Sequence, residues 1–308
     1  MSGHILVVGS INMDMVVRTE RHPQPGEIGL GQNFKTFPGG KGANQAVAAA
    51  RAGGRVKMIG RLGVDAFGDR LETELKNNGV DTTCIQRTAN TASGVALITL
   101  DDQGQNTIVV ASGANALLTP QDLRDYTPVF EGASVLLVQL ETPLATVAKA
   151  MALAKLHGVK VVLNPAPAQP LPGSMLAHVD YLIPNEHELA LITGMQIISL
   201  ASDSLHSLGT GAVIVTLGSS GVYISQPNHR TSLPAHVVPV VDTVAAGDAF
   251  VGTFAVALSE GKDLIEAAEW GNAAGALAVT REGAQPSLPN RAEIEAFLAE
   301  RRTKPRKR

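Results

Sequence analysis

Short apolar runs alternate along this chain with longer stretches in which Ala, Leu and polar residues recur at helical spacing. Ile5–Val8, Lys57–Gly60, Val135–Val138, Val159–Leu163, Tyr181–Ile183 and Ala212–Thr216 read as buried strands. Between them, Asn44–Ala52, Phe67–Asn77, Leu144–Leu156 and Glu186–Ile192 read as helices. Gly53-Gly54, Gly79 and Gly158 stand where helix C-caps are expected. This alternation predicts an α/β fold, with a mostly parallel central sheet covered by helices on both faces. Two segments break the pattern. Residues 13–37 hold Pro23, Pro25 and Gly26 between strand-like pieces, and residues 93–112 read as a hairpin, Val95–Leu100 and Thr107–Ala111, around Asp101-Asp102-Gln103-Gly104. These two are expected to pair into a small sheet projecting from the main body, a lid with Asn12 and Asp14 at its base.

Composition narrows the reading. The 308 residues contain no repeat or low-complexity linker, so residues 1–308 are expected to form one α/β domain with a discontinuous lid. A net charge of −3 makes no electrostatic case for nucleic acid or an anionic membrane. The apolar runs are strand-length and the N-terminus does not resemble a secretory signal, so a soluble cytoplasmic protein is expected. The single cysteine, Cys84, cannot form an intrachain disulfide. Residues 301–308 form a basic tail expected to be solvated and frayed.

Candidate chemistry concentrates in a few places. Asp242-Thr243-Val244-Ala245-Ala246-Gly247-Asp248-Ala249-Phe250 precedes an apolar, helix-compatible run through Leu258. Small residues at a helix start let backbone N–H groups approach a phosphate, and an aspartate there can accept a proton from an attacking alcohol. An Asp is equally a good residue for any helix N-terminus. Gly39-Gly40-Lys41-Gly42-Ala43-Asn44-Gln45 permits close backbone approach to a ligand, but Gly42 stands where a Walker A loop needs Ser or Thr. Glu141 follows a buried strand at the sheet edge where ligands bind, or is simply an exposed acid before the helix that starts near Pro143. Asn185 and Glu188 have i, i+3 spacing, suited either to water around Mg²⁺ or to a capping box. Thr216-Leu217-Gly218-Ser219-Ser220-Gly221 could receive a nucleotide or simply turn a hairpin. Zinc-ligand spacing, a nucleophile elbow and a G-x-G-x-x-G after the first strand are missing, which weakens hydrolase, zinc-enzyme and dinucleotide-oxidoreductase readings.

Together, in this order, Gly9-Ser10-Ile11-Asn12-Met13-Asp14, Gly39–Gln45 and Asp242–Phe250 resemble the ribokinase branch of the PfkB carbohydrate-kinase family along nearly the whole chain. The resemblance implies a three-layer fold with a β-lid shared across a homodimer. It implies that Asn12, Asp14, Gly40, Lys41, Asn44 and Glu141 bind a sugar. Asp248 would be the catalytic base, with Ala245, Ala246 and Gly247 as an anion hole. Asn185, Thr216, Leu217, Gly218, Ser219, Ser220, Gly221, Gly247 and Asn272 would contact ATP, and Glu188 would serve Mg²⁺ and phosphate. A K⁺ site is implied at Asp242, Val244, Ala278, Arg281, Gly283 and Ser287. The connection Met195–Thr210 is short for the family, so the helix within it is expected to be trimmed. The implied reaction is ATP-dependent phosphorylation of the 5-hydroxyl of D-ribose. The alternatives are 2-deoxyribose or another small sugar, and a non-catalytic sugar sensor.

Overall fold

The computed structural model describes residues 3–303. The chain opens with β1 (His4–Val8), crosses into β2 (Asn12–Arg18) and β3 (Gln32–Gly39), and returns through α1 (Lys41–Arg51). Next come β4 (Val56–Gly63), α2 (Ala66–Asn77), β5 (Val80–Thr88) and a hairpin of β6 (Gly94–Leu100) and β7 (Asn106–Ala111). Two short helices, α3 (Pro120–Asp125) and α4 (Thr127–Glu131), lead to β8 (Ala133–Val138), α5 (Leu144–Leu156), β9 (Lys160–Leu163), α6 (Gly173–Leu176) and β10 (Tyr181–Leu182). Then follow α7 (Glu186–Thr193), α8 (Ile198–Ser207), β11 (Ala212–Thr216), β12 (Val222–Gln226) and β13 (His229–Leu233). The chain closes with α9 (Ala246–Ser259), α10 (Leu264–Ala278) and α11 (Arg291–Thr303).

Nine strands make one sheet in the order β13-β12-β11-β10-β9-β8-β1-β4-β5, parallel except that β12 runs antiparallel to both β11 and β13. Strand side chains alternate between faces, and both faces of this sheet are covered, which is why the strands read as unbroken apolar runs. In β1, Ile5 and Val7 pack into a core with Ala46 and Val47 of α1, Phe250 and Phe254 of α9 and Trp270 of α10. Leu6 and Val8 face the other core, with Val147, Ala150 and Met151 of α5. Phe254 is fully buried, and truncating it to Ala is worth about 3–5 kcal/mol.

A second, four-stranded sheet runs β3-β2-β6-β7. The expected lid segments do pair: β2 lies parallel to β6, from Asn12 opposite Gly94 to Arg18 opposite Leu100. The glycine stops are used as expected, with Gly53, Gly79 and Gly158 all at positive φ after α1, α2 and α5. The short connection at 195–210 still holds α8, a helix of ten residues. Of the basic tail, residues 301–303 lie in α11, and 304–308 lie outside the described residues. Among the described residues no helix is long and apolar enough to cross a membrane.

Candidate active site

The order β8-β1-β4 makes a crevice at the C-terminal ends of β1 and β8, where chain connections leave in opposite directions. Glu141, just past β8, reaches across it to Ser10, just past β1: the Ser10 hydroxyl donates to Glu141 Oε2 at 2.5 Å. The same oxygen accepts the Lys41 backbone N–H at 3.0 Å. Since α1 has no side-chain cap of its own, Glu141 satisfies an orphan amide there and places negative charge at a helix N-terminus. Close approach makes this possible. Gly40 has φ +87°, and a Cβ at Gly42 would stand 2.6 Å from the Ser10 nitrogen. The glycines of the 39–45 run are therefore demanded by packing against the β1–β2 crossing.

Asn12 and Asp14 lie on β2 at the base of the small sheet. Asn12 is buried, and its Oδ1 accepts from Asn115 Nδ2 at 2.7 Å. Asn115, just after β7, also holds the Ile11 backbone, accepting from its N–H and donating to its carbonyl. The β1–β2 passage and the exit from β7 are thus tied together by one amide. Asp14 sits over Gly39, where a Cβ would fall 2.1 Å from Asp14 Oδ2. Burial, reinforced by Glu141 and Asp248 and opposed by Lys41, pushes the Asp14 carboxyl up to about 7.

Asp248 comes from the other side of the crevice. It occupies the first turn of α9, and Gly252 one turn later lets α9 approach α1 closely: a Cβ there would meet Ala48 Cβ at 2.6 Å. That contact brings the two helix starts together. Asn44 Nδ2 donates to Asp248 Oδ2 at 3.0 Å, and Gln45 Nε2 donates to Oδ1 at 3.0 Å. Asn44 Oδ1 is buried with no hydrogen-bond partner. An orphaned acceptor of this kind costs about 1–3 kcal/mol, which a ligand hydroxyl would recover.

The start of α9 has the features of an anion cradle. Ala245, the residue before it, is left-handed at φ 59°, ψ 8°, a conformation that costs a non-glycine residue about 1–2 kcal/mol. No side chain caps the helix, and its first amide, that of Ala246, makes only a long hydrogen bond to the Thr243 carbonyl at 3.4 Å. A Cβ built at Gly247 would meet nothing within 4 Å. These residues border a cavity lined by Lys41, Asn164, Ile183, Asn185, Glu188, Thr216, Thr243, Ala245, Gly247, Asp248 and Val251. Burial alone would lower the Lys41 ammonium, but Asp248, Glu141, Glu188 and Asp14 surround it and hold it above its ordinary value. Burial raises the Glu188 carboxyl.

Asn185 and Glu188 form a reciprocal capping box on α7: Glu188 N–H donates to Asn185 Oδ1 and Asn185 N–H to Glu188 Oε2, both at 2.8 Å. Both residues also line the cavity, so the structural and ligand-facing readings coexist. Thr216 lines it too, while Gly218, Ser219 and Ser220 make an exposed turn from β11 to β12, with Leu217 packed inward and Gly221 at φ +96°. Asn272 stands apart from the cavity lining, donating to the Pro234 carbonyl at 2.9 Å. Of the remaining positions, Val244 and Gly283 meet Asp242. Its carboxylate accepts from Val244 N–H at 3.0 Å and Gly283 N–H at 2.9 Å, and it forms no ion pair among the described residues. Arg281 turns away from it to pair with Glu293, the Ala278 carbonyl accepts from Arg281 N–H, and the Ser287 hydroxyl donates to the Ala284 carbonyl.

Sequence reasoning passed over Ser10, Gln45, Asn115, Asn164 and Thr243. Ser10, Gln45 and Thr243 lie inside runs already singled out, and Asn164 follows β9 at the ligand-binding edge of the sheet. Asn115 carries no local signal, because its role exists only once β2 and β7 are adjacent to the same crossing.

Comparison with known proteins agrees with this fold. The description "pfkB family carbohydrate kinase" matches residues 2–291. A ribokinase of Haemophilus influenzae is 42% identical over 299 residues, covering 96% of this chain and 98% of that protein. A deoxyribokinase of Salmonella typhimurium is 36% identical over 301 residues, covering 96% and 98%. The structure of Arabidopsis thaliana ribokinase complexed with ribose and ATP superposes with a TM-score of 0.91 at 35% identity, covering 97% of this chain and 99% of that one. With its fold, its motif order and nearly its whole length matched, this chain belongs to the pfkB family of carbohydrate kinases.

Proposed function

We propose that this protein transfers the γ-phosphoryl group of ATP to the 5-hydroxyl of D-ribose, giving D-ribose 5-phosphate, with Asp248 as the general base. The observation that carries the reading is the Asp248 carboxylate, buried, held by Asn44 and Gln45 and bordering the cavity at the uncapped start of α9. The sugar lies between the two sheets, against Asn12, Asp14, Gly40, Lys41, Asn44 and Glu141. The orphaned Asn44 Oδ1 supports a hydroxylated ligand beside the base. Asp248 takes the proton of the attacking hydroxyl, a contribution of roughly 10²–10⁴-fold. Backbone amides of Ala245, Ala246 and Gly247 receive the charge that develops on the transferring group. The nucleotide lies along Asn185, Thr216–Gly221 and Gly247, with Asn272 at its far end.

Two ions belong to this reading. Mg²⁺ would neutralise the nucleotide phosphates. Asn185 and Glu188 suit it as residues acting through water, since no group of three or more His, Cys, Asp or Glu side chains among the described residues is placed to hold a metal ion directly and Mg²⁺ keeps much of its hydration. K⁺ would supply positive charge near the anion hole, held by Asp242, Val244, Ala278, Arg281, Gly283 and Ser287, several of them through backbone carbonyls. The unpaired Asp242 carboxylate supports that fit. The small sheet closes over the sugar to exclude water, and is shared across a homodimer. Its strand β7 is exposed along its length, with Ile108 51% and Val109 61% exposed, an apolar surface that suits a second copy. The protein works in the cytoplasm, without nucleic acid or membrane.

The test is ADP formation from Mg-ATP and K⁺ with ribose, 2-deoxyribose, fructose or nucleosides. Ribose-dependent turnover exceeding that with 2-deoxyribose is expected. Preference for another sugar would revise the substrate, and sugar binding without turnover would favour a sensor.

A further inference from the structure

We propose that Gln45 is a positioning residue for Asp248, oriented by a chain of buried amides that begins at a backbone carbonyl. The inference rests on the reading of Asp248 as the base. The Ile183 carbonyl can only accept, and Asn164 Nδ2 donates to it at 2.9 Å. That leaves Asn164 Oδ1 as an acceptor, which takes a hydrogen from Gln45 Nε2 at 3.1 Å. The second hydrogen of the same nitrogen goes to Asp248 Oδ1 at 3.0 Å. On its other side, Gln45 Oε1 accepts from Gln139 Nε2 at 2.5 Å. The Gln45 amide therefore uses both donors and its acceptor, and only one orientation satisfies its neighbours. Flipping it would set its oxygen against two other acceptors at sites where Gln45 is 0% and Asp248 6% exposed.

The consequence falls on the carboxylate. With Asn44 Nδ2 on Oδ2 and Gln45 Nε2 on Oδ1, consecutive residues of α1 hold both oxygens, so the carboxylate cannot rotate without losing a buried bond. Its remaining lone pairs are presented to the cavity that Asp248 and Asn164 both line. Unlike Asn44, whose free oxygen is left for a ligand, Gln45 has no polar atom to spare for the sugar. Gln45 accordingly acts on the rate of phosphoryl transfer and leaves sugar affinity alone.

The experiment measures single-turnover phosphoryl transfer to ribose and the ribose KM in Gln45→Met, a neutral substitution of similar shape that cannot donate. The transfer rate is expected to fall about 10–100-fold, the value of a hydrogen bond to a charged group, with KM within about threefold. In an Asp248→Asn background the same substitution should change the residual rate by less than about threefold, because there is no base left to orient. A rate within threefold of wild type, or an equal loss in both backgrounds, overturns the proposal. If Gln45→Met does not fold, Gln139→Met, which touches neither Asp248 nor the cavity, carries the same comparison with a loss of roughly 3–10-fold. No loss there overturns it as well. Wild-type-like transfer in Asp248→Asn alone would instead remove the reading of the base on which the proposal stands.

Discussion

Asp14→Asn separates what the sugar site costs the fold from what it gains in binding. Burial and the neighbouring Glu141 and Asp248 carry the Asp14 carboxyl from 3.8 to about 7. Three units correspond to about 4 kcal/mol, or about 2–4 kcal/mol once residual contact with water is allowed for. In the unfolded chain Asp14 releases its proton near pH 4, and in the folded protein near pH 7. Between those values the folded state holds a proton that the unfolded state has lost, so stability falls as pH rises through the window. Above it, the full cost of the buried charge is present; below it, both states are protonated and the cost vanishes. Asn carries no charge at any pH. Urea unfolding should therefore find Asp14→Asn about 2–4 kcal/mol more stable than wild type near pH 8, and within about 1 kcal/mol of it near pH 4.5. Ribose affinity by calorimetry should move the other way, weakening about tenfold or more through loss of an ionised acceptor for the sugar hydroxyls. A stability difference that does not change with pH would refute the electrostatic reasoning, and unchanged affinity would remove Asp14 from the sugar site.

Three further outcomes follow from the same geometry. Gly39→Ala drives a Cβ to within 2.1 Å of Asp14 Oδ2, so the ribose KM should rise about tenfold with little change in kcat; an unchanged KM would show that Asp14 can shift harmlessly. Replacing K⁺ by tetramethylammonium should lower kcat/KM about tenfold, and Asp242→Ala should abolish that response; equal rates in both salts would remove the cation site. Light scattering should give twice the chain's 32.1 kDa, reduced to one copy by Val109→Glu on the exposed strand β7; a wild-type mass of one chain would remove the shared lid.

The sequence-level reading worked wherever one segment carries its own signal. Apolar runs such as Val135–Val138 and Ala212–Thr216 marked strands because the sheet is covered on both faces. The segments 13–37 and 93–112 stood out because they lack helical spacing, and β2 does pair with β6. Asp248 was visible as an aspartate set among small residues at a helix start. What stayed hidden depends on which elements become neighbours. That Gln45 would bridge Asn164 and Asp248 requires α9 to pack on α1 through Gly252, and no local pattern announces that contact. Glu141 reads from sequence as a ligand-edge acid or an exposed acid before a helix, yet one of its oxygens caps α1 and holds Ser10. Asn272 matched by position but donates to the Pro234 carbonyl, outside the cavity lining.

The most direct test of the account is the single-turnover rate of phosphoryl transfer to ribose in Asp248→Asn. The substitution keeps the shape of a side chain already enclosed by Asn44 and Gln45, so the protein should fold and bind ribose. The account predicts a fall in rate of at least ~10²-fold with ribose affinity largely retained. Transfer at close to the wild-type rate would contradict it, and the base would have to be sought elsewhere in the crevice.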